Sequence, residues 1–475
     1  MRLFLILSLL LPCFSSLRAE ELFDLEAIRD VESLEIEVVQ DWKQAPKDPA
    51  VRQKLIEVTV CEWWPGQKVR LPVTLNAPAG RGPCRNVIVA NQGLAAKPAL
   101  PVGGQLELLK EQGVGVVLIG MGTIDAMEPK GQLHLGMRKQ LLETKDVRYT
   151  PAWIWGMSQM RGLTAAMSEP AVFRPEKVLT TGGSKRGVAS AMAGIFDDRF
   201  TAILPVVAPM LGNPGTPVLV VGTEPEELTE IDDEFYETIS PEAKKALKER
   251  AVRRATQRVG LADAEAAGWT REEMEEMADK VWDPCRIVSY LPVLERRGLE
   301  IFYNVGTNDS VSPALPELGT LLPDFPICII PGGQHGGPQT AGFSKQVPKQ
   351  KEIQDNLVSF ARHHFFSERG MPEAPVINFG TGDDGIEVTV TFSDDTDPEK
   401  NEMWWCYDRS KVYTLPFEFD EWESAVLVKN EDGTYSVTIP IEEGADTIDF
   451  LSLHTDTENE LPITFSSPYR RVSVK

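Results

Sequence analysis

A serine stands at a point where a strand pattern gives way to a helix pattern. The segment 177–192 begins with a β-rich run, passes through a Gly-Gly pair to Ser184, and continues as a helical run. A strand–serine–helix turn of this kind presents a hydroxyl at the carboxyl edge of a sheet, and small residues are needed there because side chains would clash. We therefore predict Ser184 as a nucleophile. The usual pattern is Gly-x-Ser-x-Gly, and this chain departs from it, with Arg186 in the second glycine position and Gly187 one place later.

Glycine-rich turns before helices can also bind phosphate, so a nucleotide site is the first alternative. The chain has no Gly-x-x-x-x-Gly-Lys-Ser/Thr motif, and Lys185 follows the serine instead of preceding it. The glycine pair at Gly120 and Gly122 has no third glycine, which makes it weak support for a dinucleotide. The cysteines and histidines show no zinc spacing. We therefore expect neither a cofactor nor a metal.

A serine nucleophile needs a base, and the base needs an acid to orient it. The predicted strand 300–305 runs into a loop that contains Asp309, and the predicted strand 326–330 runs into a glycine-rich loop that contains His335. Open α/β sheets build their sites at the carboxyl ends of their strands. The chain order Ser184, Asp309, His335 is the order found in α/β-hydrolases. These three residues are the predicted catalytic triad.

The other four of the five histidines suit the role of base less well. His363 and His364 lie late in an amphipathic helix pattern, and neither follows a strand. His134 lies in a loop beside a glycine, and His454 lies in the C-terminal region of short strands. His335 is therefore the predicted base.

An oxyanion hole should use the backbone N–H of Lys185 together with a second N–H from the loop after an early strand. Gln92 or Gly93 would supply that second donor, although the segment around them could also be a simple turn. Arg186 is a candidate for binding an anionic group of the substrate. The alternative is that Lys185 and Arg186 form a solvated pair beside a carboxylate.

Several of these segments together resemble a known family, the exported α/β-hydrolases called PhoPQ-activated pathogenicity-related proteins. The resemblance covers roughly residues 50–370 and is carried by Asn91–Gly93, Tyr149–Ser158, Gly182–Gly187, Gly306–Asp309 and His335. It implies the same serine, aspartate and histidine as the triad. A weaker similarity links the chain to glucuronoyl and acetylxylan esterases, which also place a basic residue after the serine.

The elements that must position these residues alternate between strand and helix patterns from about Val69 to Phe366. This alternation predicts a doubly wound, mostly parallel sheet of the α/β-hydrolase type. Trp153 and Trp155 lie in one of the helices and are more typical of core than of a pocket lining. The predicted strands are 86–90, 114–119, 177–180, 202–207, 300–305 and 326–330. The predicted helices are 153–167, 185–196 and 352–366.

Two further regions depart from the alternation. Residues 223–280 are acidic and helical, with N-cap residues at Ser240 and Thr270, and form either a lid or a solvated insertion within a hydrolase domain of residues 20–370. Residues 371–475 read as short alternating strands with hairpin turns, which predicts a β-sandwich of immunoglobulin-like size. The acidic run from Asp394 to Asp397 is expected to be a solvated turn.

The N-terminus predicts export. Residues 1–19 combine an arginine, a short apolar run and small residues before a cleavage point, as in a signal peptide. No later run has the 18 apolar residues expected of a membrane span, so we predict a soluble periplasmic or secreted protein. The net charge of −23 argues against nucleic acid and anionic membranes as partners. A disulfide between Cys61 and Cys84 is possible in that compartment.

The sequence thus predicts an exported serine hydrolase and favours a carboxylic ester hydrolase whose substrate is a small-molecule or carbohydrate-linked ester. Two alternatives remain. One is a catalytically silent binding protein of the cell envelope with the same fold. The other is a serine peptidase, which would share the triad. The sequence gives no indication of the oligomeric state.

Overall fold

The structure is a computed structural model of the 475-residue chain. It describes residues 22–92, 97–122, 124, 132–208, 221–222, 259–307, 309, 315–333, 350–382, 384–393, 396–409 and 422–475. The predicted signal peptide, most of the acidic insertion with Ser240, and His335 lie outside these ranges. Among the described residues, no helix combines the length and apolar character needed to cross a membrane.

A ten-stranded sheet forms the centre of the molecule. Its strand order is β1-β2-β3-β5-β4-β6-β7-β11-β12, and β10 pairs with β7. Pairing is antiparallel from β1 to β5 and parallel from β5 to β12. The strands up to residue 330 are β1 (Glu37–Ala45), β2 (Asp48–Trp64), β3 (Gln67–Pro78), β4 (Cys84–Gln92), β5 (Gly115–Gly120), β6 (Phe173–Gly183), β7 (Ala202–Val206), β8 (Val221–Gly222), β9 (Val259–Gly260), β10 (Glu300–Ile301), β11 (Tyr303–Gly306) and β12 (Ile327–Ile330).

Helices cover both faces of this sheet, because its central strands are apolar on both sides. On β4, for example, Val87 and Val89 face one core and Ile88 faces the other. The helices are α1 (Leu25–Arg29), α2 (Gly104–Glu107), α3 (Gln132–Thr144), α4 (Pro151–Met167), α5 (Lys185–Phe196), α6 (Leu261–Ala266), α7 (Arg271–Trp282), α8 (Ile287–Arg297), α9 (Leu315–Leu321) and α10 (Gln350–Phe366). The predicted α/β-hydrolase fold is confirmed.

The N-terminal antiparallel strands were not among the predicted elements. Strand β2 pairs with β3 over most of its length, from Val51 opposite Pro78 to Trp64 opposite Gln67. Strands β1 to β3 extend the parallel sheet at its β5 edge and share its core. Their pattern alternates less regularly because β2 carries two register shifts.

Two antiparallel sheets follow α10 and face each other across a shared core. One has the order β13-β14-β18-β17, and the other has the order β16-β15-β19-β20 with β21 on β19. The predicted β-sandwich is therefore confirmed, while its boundary at residue 371 stays a prediction. The strands are β13 (Val376–Thr381), β14 (Ile386–Thr391), β15 (Lys400–Tyr407), β16 (Glu423–Val426), β17 (Val428–Lys429), β18 (Tyr435–Ile439), β19 (Thr447–Glu458), β20 (Leu461–Ser466) and β21 (Arg470–Ser473).

The β-sandwich also contributes to both cores of the α/β unit. Leu451 and Tyr469 belong to the core on one face, and Phe465 belongs to the core on the other. The buried Asn356 of α10 donates to Asn304 Oδ1 at 2.8 Å and to the Thr464 carbonyl at 2.9 Å, which joins the helix to β11 and to β20. The two parts of the chain are thus packed into one continuous interior.

Three smaller predictions concern a helix cap, two tryptophans and two cysteines. Thr270 caps α7 with a capping box that involves Glu273, as its sequence predicts. Trp153 and Trp155 are buried in the core. Cys61 and Cys84 are free thiols, because three strand spacings of about 4.8 Å separate β2 from β4, well beyond disulfide reach.

Candidate active site

Ser184 occupies the turn between β6 and α5. Its backbone adopts φ 59° and ψ −128°, a conformation that non-glycine residues rarely hold and that costs about 1–3 kcal/mol. Its N–H donates to the Val206 carbonyl at 2.9 Å, and its own carbonyl accepts the Val188 N–H at 3.0 Å. The turn is therefore fixed on one side by the neighbouring strand and on the other by the first turn of the helix.

Two glycines make the sharp turn possible, and they explain the departure from the usual motif. A Cβ on Gly182 would lie 2.7 Å from the carbonyl oxygen of Arg186. A Cβ on Gly187 would lie 2.8 Å from the Cβ of Ala208 and 2.9 Å from the carbonyl oxygen of Val206. Arg186, in the position where the usual motif has glycine, meets a Cβ on Gly182 with its carbonyl group and with its own Cβ at 2.8 Å. The second close approach of the helix thus occurs at the position where the chain has Gly187.

The predicted oxyanion-hole residues lie around the same edge. Lys185 is the first residue of α5, so its N–H belongs to the helix terminus, where amides have no intrahelical acceptor. Gln92 is the last residue of β4, the strand next to β6 in the sheet, and its side chain donates to Thr74 Oγ1 at 3.3 Å. Gly93 lies outside the described residues. Both donors named from the sequence stay predictions.

A buried glutamine that was not singled out in the sequence links β4 to β6. Gln159 of α4 is fully buried and accepts the Asn91 side-chain amide at 2.6 Å. It donates to the Val89 carbonyl at 2.9 Å and to Thr180 Oγ1 at 2.6 Å. In the sequence, Gln159 is one of several polar residues in the helical run 151–167, so no distinct signal marks it. Gln159 therefore connects the strand that precedes the predicted oxyanion-hole residues with the strand that precedes Ser184.

Asp309 lies in the turn that follows β11 and is fully buried. Its N–H donates to the Gly306 carbonyl at 3.4 Å. Burial raises the pKa of Tyr303 well above its usual value, and the nearby negative charge of Asp309 adds to that effect. The Tyr303 hydroxyl accepts the Ala208 N–H at 2.9 Å, just beyond the strand that holds the Ser184 turn. Tyr303 thus lies between Asp309, the predicted acid, and the side of the sheet that holds Ser184, the predicted nucleophile.

His335 lies outside the described residues, but the start of its loop is described. Strand β12 ends at Ile330, and the Ile330 carbonyl accepts the Thr307 N–H at 3.0 Å. The Gly332 N–H donates to Thr307 Oγ1 at 2.8 Å. Strands β6, β7, β11 and β12 are consecutive neighbours in the sheet. The structure therefore brings the chain segments that lead to Ser184, Asp309 and His335 to one edge.

Three of the other histidines occupy structural positions. His363 and His364 contact the carboxylate of Glu300 at 3.2 Å and 3.0 Å. Burial alone would raise the pKa of Glu300, but hydrogen bonds and charge from the two histidines lower it to about 2. His454 is buried in the β-sandwich between Asn401 and Ser452. The side chain of His134 lies outside the described residues. Where the structure describes the chain, it contains no group of three His, Cys, Asp or Glu side chains suited to a metal ion.

Comparison with protein families confirms the resemblance for one segment. Residues 145–214 match the sequence model described as "PhoPQ-activated pathogenicity-related protein". This segment contains α4, β6, Ser184 and α5. No curated protein sequence matches the chain.

Solved structures of similar architecture include the two esterase types named from the sequence. An acetyl xylan esterase from Paenibacillus sp. R4 is 16% identical, with a TM-score of 0.40, and the match covers 69% of this chain and 91% of that protein. A glucuronoyl esterase from Solibacter usitatus is 14% identical, with a TM-score of 0.39, and the match covers 70% of this chain and 86% of that protein. A likeness of this degree carries no information about activity.

Proposed function

We propose that the protein is an exported serine hydrolase that cleaves carboxylic esters through Ser184, His335 and Asp309. The observation that carries the proposal is the strained backbone of Ser184 at the end of β6. A conformation of this cost persists where the surroundings impose it, which is typical of functional sites. The fully buried Asp309 at the end of a nearby strand supplies an acid of the required type.

In the proposed reaction, His335 removes the proton of the Ser184 hydroxyl as its oxygen attacks the ester carbonyl carbon. The backbone N–H groups of Lys185 and of Gln92 or Gly93 stabilise the negative charge that develops on the carbonyl oxygen. The tetrahedral intermediate expels the alcohol, which takes the proton from His335. Water, deprotonated by His335, then attacks the acyl-enzyme, and the carboxylic acid product leaves as Ser184 takes back its proton. Asp309 holds the imidazole in the required tautomer and stabilises its protonated form.

The substrate is proposed to be a small-molecule or carbohydrate-linked ester. Arg186 would contact an anionic group of the substrate, if it has one, because the residue follows the nucleophile in the first turn of α5. Export through a signal peptide at residues 1–19 remains part of the proposal.

The decisive experiment is Ser184→Ala, assayed with p-nitrophenyl acetate and butyrate. We expect kcat to fall by about 1000-fold or more, because the nucleophile is removed. Ser190→Ala is the matched control: Ser190 is a buried serine on the same helix whose hydroxyl donates to the Arg186 carbonyl at 2.9 Å, and its variant should retain activity. Equal turnover by Ser184→Ala and the wild-type protein would reject the proposal.

A fluorophosphonate probe separates the proposal from its alternatives. Labelling of the wild-type protein at Ser184 excludes a catalytically silent binding protein, whereas complete lack of labelling favours it. A peptidase would also be labelled, so a panel of ester and peptide substrates must follow. Faster turnover of peptide amides than of matched esters would replace the esterase assignment with a peptidase.

A further inference from the structure

We propose that Arg409, a residue of the β-sandwich, is a positioning residue for the catalytic acid Asp309. This inference rests on the proposed function, because it assigns Arg409 a role in the same site. The β-sandwich would then contribute to the reaction, although it lies far from Ser184 in the sequence.

Thr307 is fully buried two residues before Asp309. Its N–H donates to the carbonyl of Ile330, the last residue of β12, at 3.0 Å. Its hydroxyl accepts the N–H of Gly332, just beyond that strand, at 2.8 Å. Its carbonyl accepts a hydrogen bond from Arg409 Nη2. One residue therefore joins the loop of the acid, the loop that leads to His335, and the β-sandwich.

Arg409 is itself held firmly. Its side chain is buried with only 5% exposure, and Nη1 donates to the Tyr469 hydroxyl at 2.8 Å. Its guanidinium carbon lies 5.9 Å from the centre of the Tyr469 ring. Its carbonyl accepts from Arg471 Nη2 at 2.9 Å, and Arg471 in turn pairs with the buried Asp449 at 2.8 Å. A buried side chain with this many partners can fix the position of the group it touches.

The same surface of the β-sandwich also holds the helix that follows the acid. Arg470 donates to the Gly319 carbonyl in α9. Gly319 itself lies so close to the backbone of Tyr469 that a side chain at this position would clash. The acid lies between two anchored points, Thr307 before it and α9 after it, and the β-sandwich contacts both.

The acid must be placed accurately because it sets the protonation behaviour of the base. A carboxylate beside the imidazole stabilises the imidazolium and raises the apparent pKa of the base. A displacement of about 1 Å can lower the rate by up to about 100-fold. Loss of the bond from Arg409 should therefore alter the reaction step and its pH dependence while leaving substrate binding unchanged.

The test compares Arg409→Met with the wild-type full-length protein. We expect kcat for p-nitrophenyl acetate to fall about tenfold and KM to stay within twofold. The lower apparent pKa in the pH profile of kcat/KM should move to lower pH. Arg369→Met is the matched control, because Arg369 is a buried arginine at the same junction that pairs with Asp456 at 2.7 Å and contacts neither loop in its described bonds. It should lower the melting temperature without moving the pH profile.

Tyr469→Phe keeps the test decisive if Arg409→Met does not fold. It removes only the hydroxyl that accepts from Arg409 Nη1, so the core stays filled. We expect a smaller change of the same kind, a reduction of about threefold in kcat with the same shift of the pH profile. Wild-type kcat and pH profile in folded Arg409→Met, or in Tyr469→Phe if Arg409→Met does not fold, would overturn the inference. Equal effects of Arg409→Met and Arg369→Met on the pH profile would also overturn it. If the wild-type protein is not labelled at Ser184 by the fluorophosphonate, the proposed function fails first.

Discussion

At the scale of single residues, the Ser184 turn explains why the chain can depart from the usual motif. Before the serine, the turn leaves no room for a side chain at Gly182. After the serine, the helix lies close to the neighbouring strand at Gly187. Gly182 and Gly187 are the positions where a side chain would meet backbone, whereas a Cβ on Gly183 would meet nothing closer than 3.9 Å. The glycine spacing is therefore a property of where the helix touches the neighbouring strand.

The contrast between Gly187, where a side chain would clash, and Gly183, where it would not, gives a prediction with its own control. Gly187→Ala should destabilise the protein by about 1–3 kcal/mol and slow fluorophosphonate labelling, because the new methyl group overlaps Ala208 and the Val206 carbonyl. Gly183→Ala, four residues away, should have nearly wild-type stability. Urea denaturation of both variants measures the difference. Equal stability of the two would show that the helix does not approach the strand as closely as the structure indicates.

At the scale of elements, the strands that meet at the site are linked by a helix. The three contacts of Gln159 connect α4 to Asn91, Val89 and Thr180, so the helix adds side-chain bonds at the end of the backbone pairing between β4 and β6. The proposed oxyanion hole uses one N–H donor that follows each of these strands. The distance between the two strand ends should therefore affect the stability of the transition state more than the binding of the substrate.

Gln159→Met should therefore lower kcat about tenfold and change KM little, since a residue of similar length keeps the volume while the amide contacts are lost. Ser158→Ala is the control, because within the described part of the chain the Ser158 hydroxyl bonds only to its own helix, at the Ile154 carbonyl at 2.6 Å. Steady-state kinetics with p-nitrophenyl esters and thermal melts test the prediction. A higher KM at unchanged kcat would point instead to a role in binding.

Local patterns and distant contacts differ in what the sequence can reveal. Helix α5 was predicted with its observed bounds, Lys185–Phe196, because a strand, a glycine turn and a helical run are all readable within 20 residues. The paired strands β1 to β3 were missed because their pattern is broken by register shifts. The contact of Arg409 with Thr307 was missed for a different reason. It joins positions 102 apart in sequence, and no local pattern marks such a pair.

At the scale of the whole molecule, the shared interior makes the β-sandwich part of the stability of the α/β unit. Buried His454 shows how this affects pH dependence. Its Nδ1 lies 2.8 Å from Asn401 Oδ1 and its Nε2 lies 2.7 Å from Ser452 Oγ, an arrangement that suits the neutral ring. Burial lowers its pKa to about 3, against 6.5 in an exposed state.

The sign of the effect follows from this depressed pKa. The unfolded chain binds a proton at His454 below pH 6.5, and the folded chain does so only near pH 3, so stability falls as the pH falls through that window. We expect His454 to account for a loss of about 1–2 kcal/mol in the free energy of unfolding between pH 7 and pH 5. Urea denaturation of His454→Gln at both pH values should show a loss smaller by that amount. Glu300 and its two histidine partners are unchanged in His454→Gln, so equal losses in the two proteins would show that His454 does not cause the pH dependence.

The bond between Arg409 and Thr307 also imposes an order on biosynthesis. A ribosome completes the serine turn and the loop of the acid long before it reaches residue 409, and Tyr469, which anchors Arg409, is made later still. Throughout that interval Thr307 has no partner from the β-sandwich. The β-sandwich, translated later, thus completes the surroundings of Asp309, and the contact from Arg409 is anchored only after residue 469 has been made.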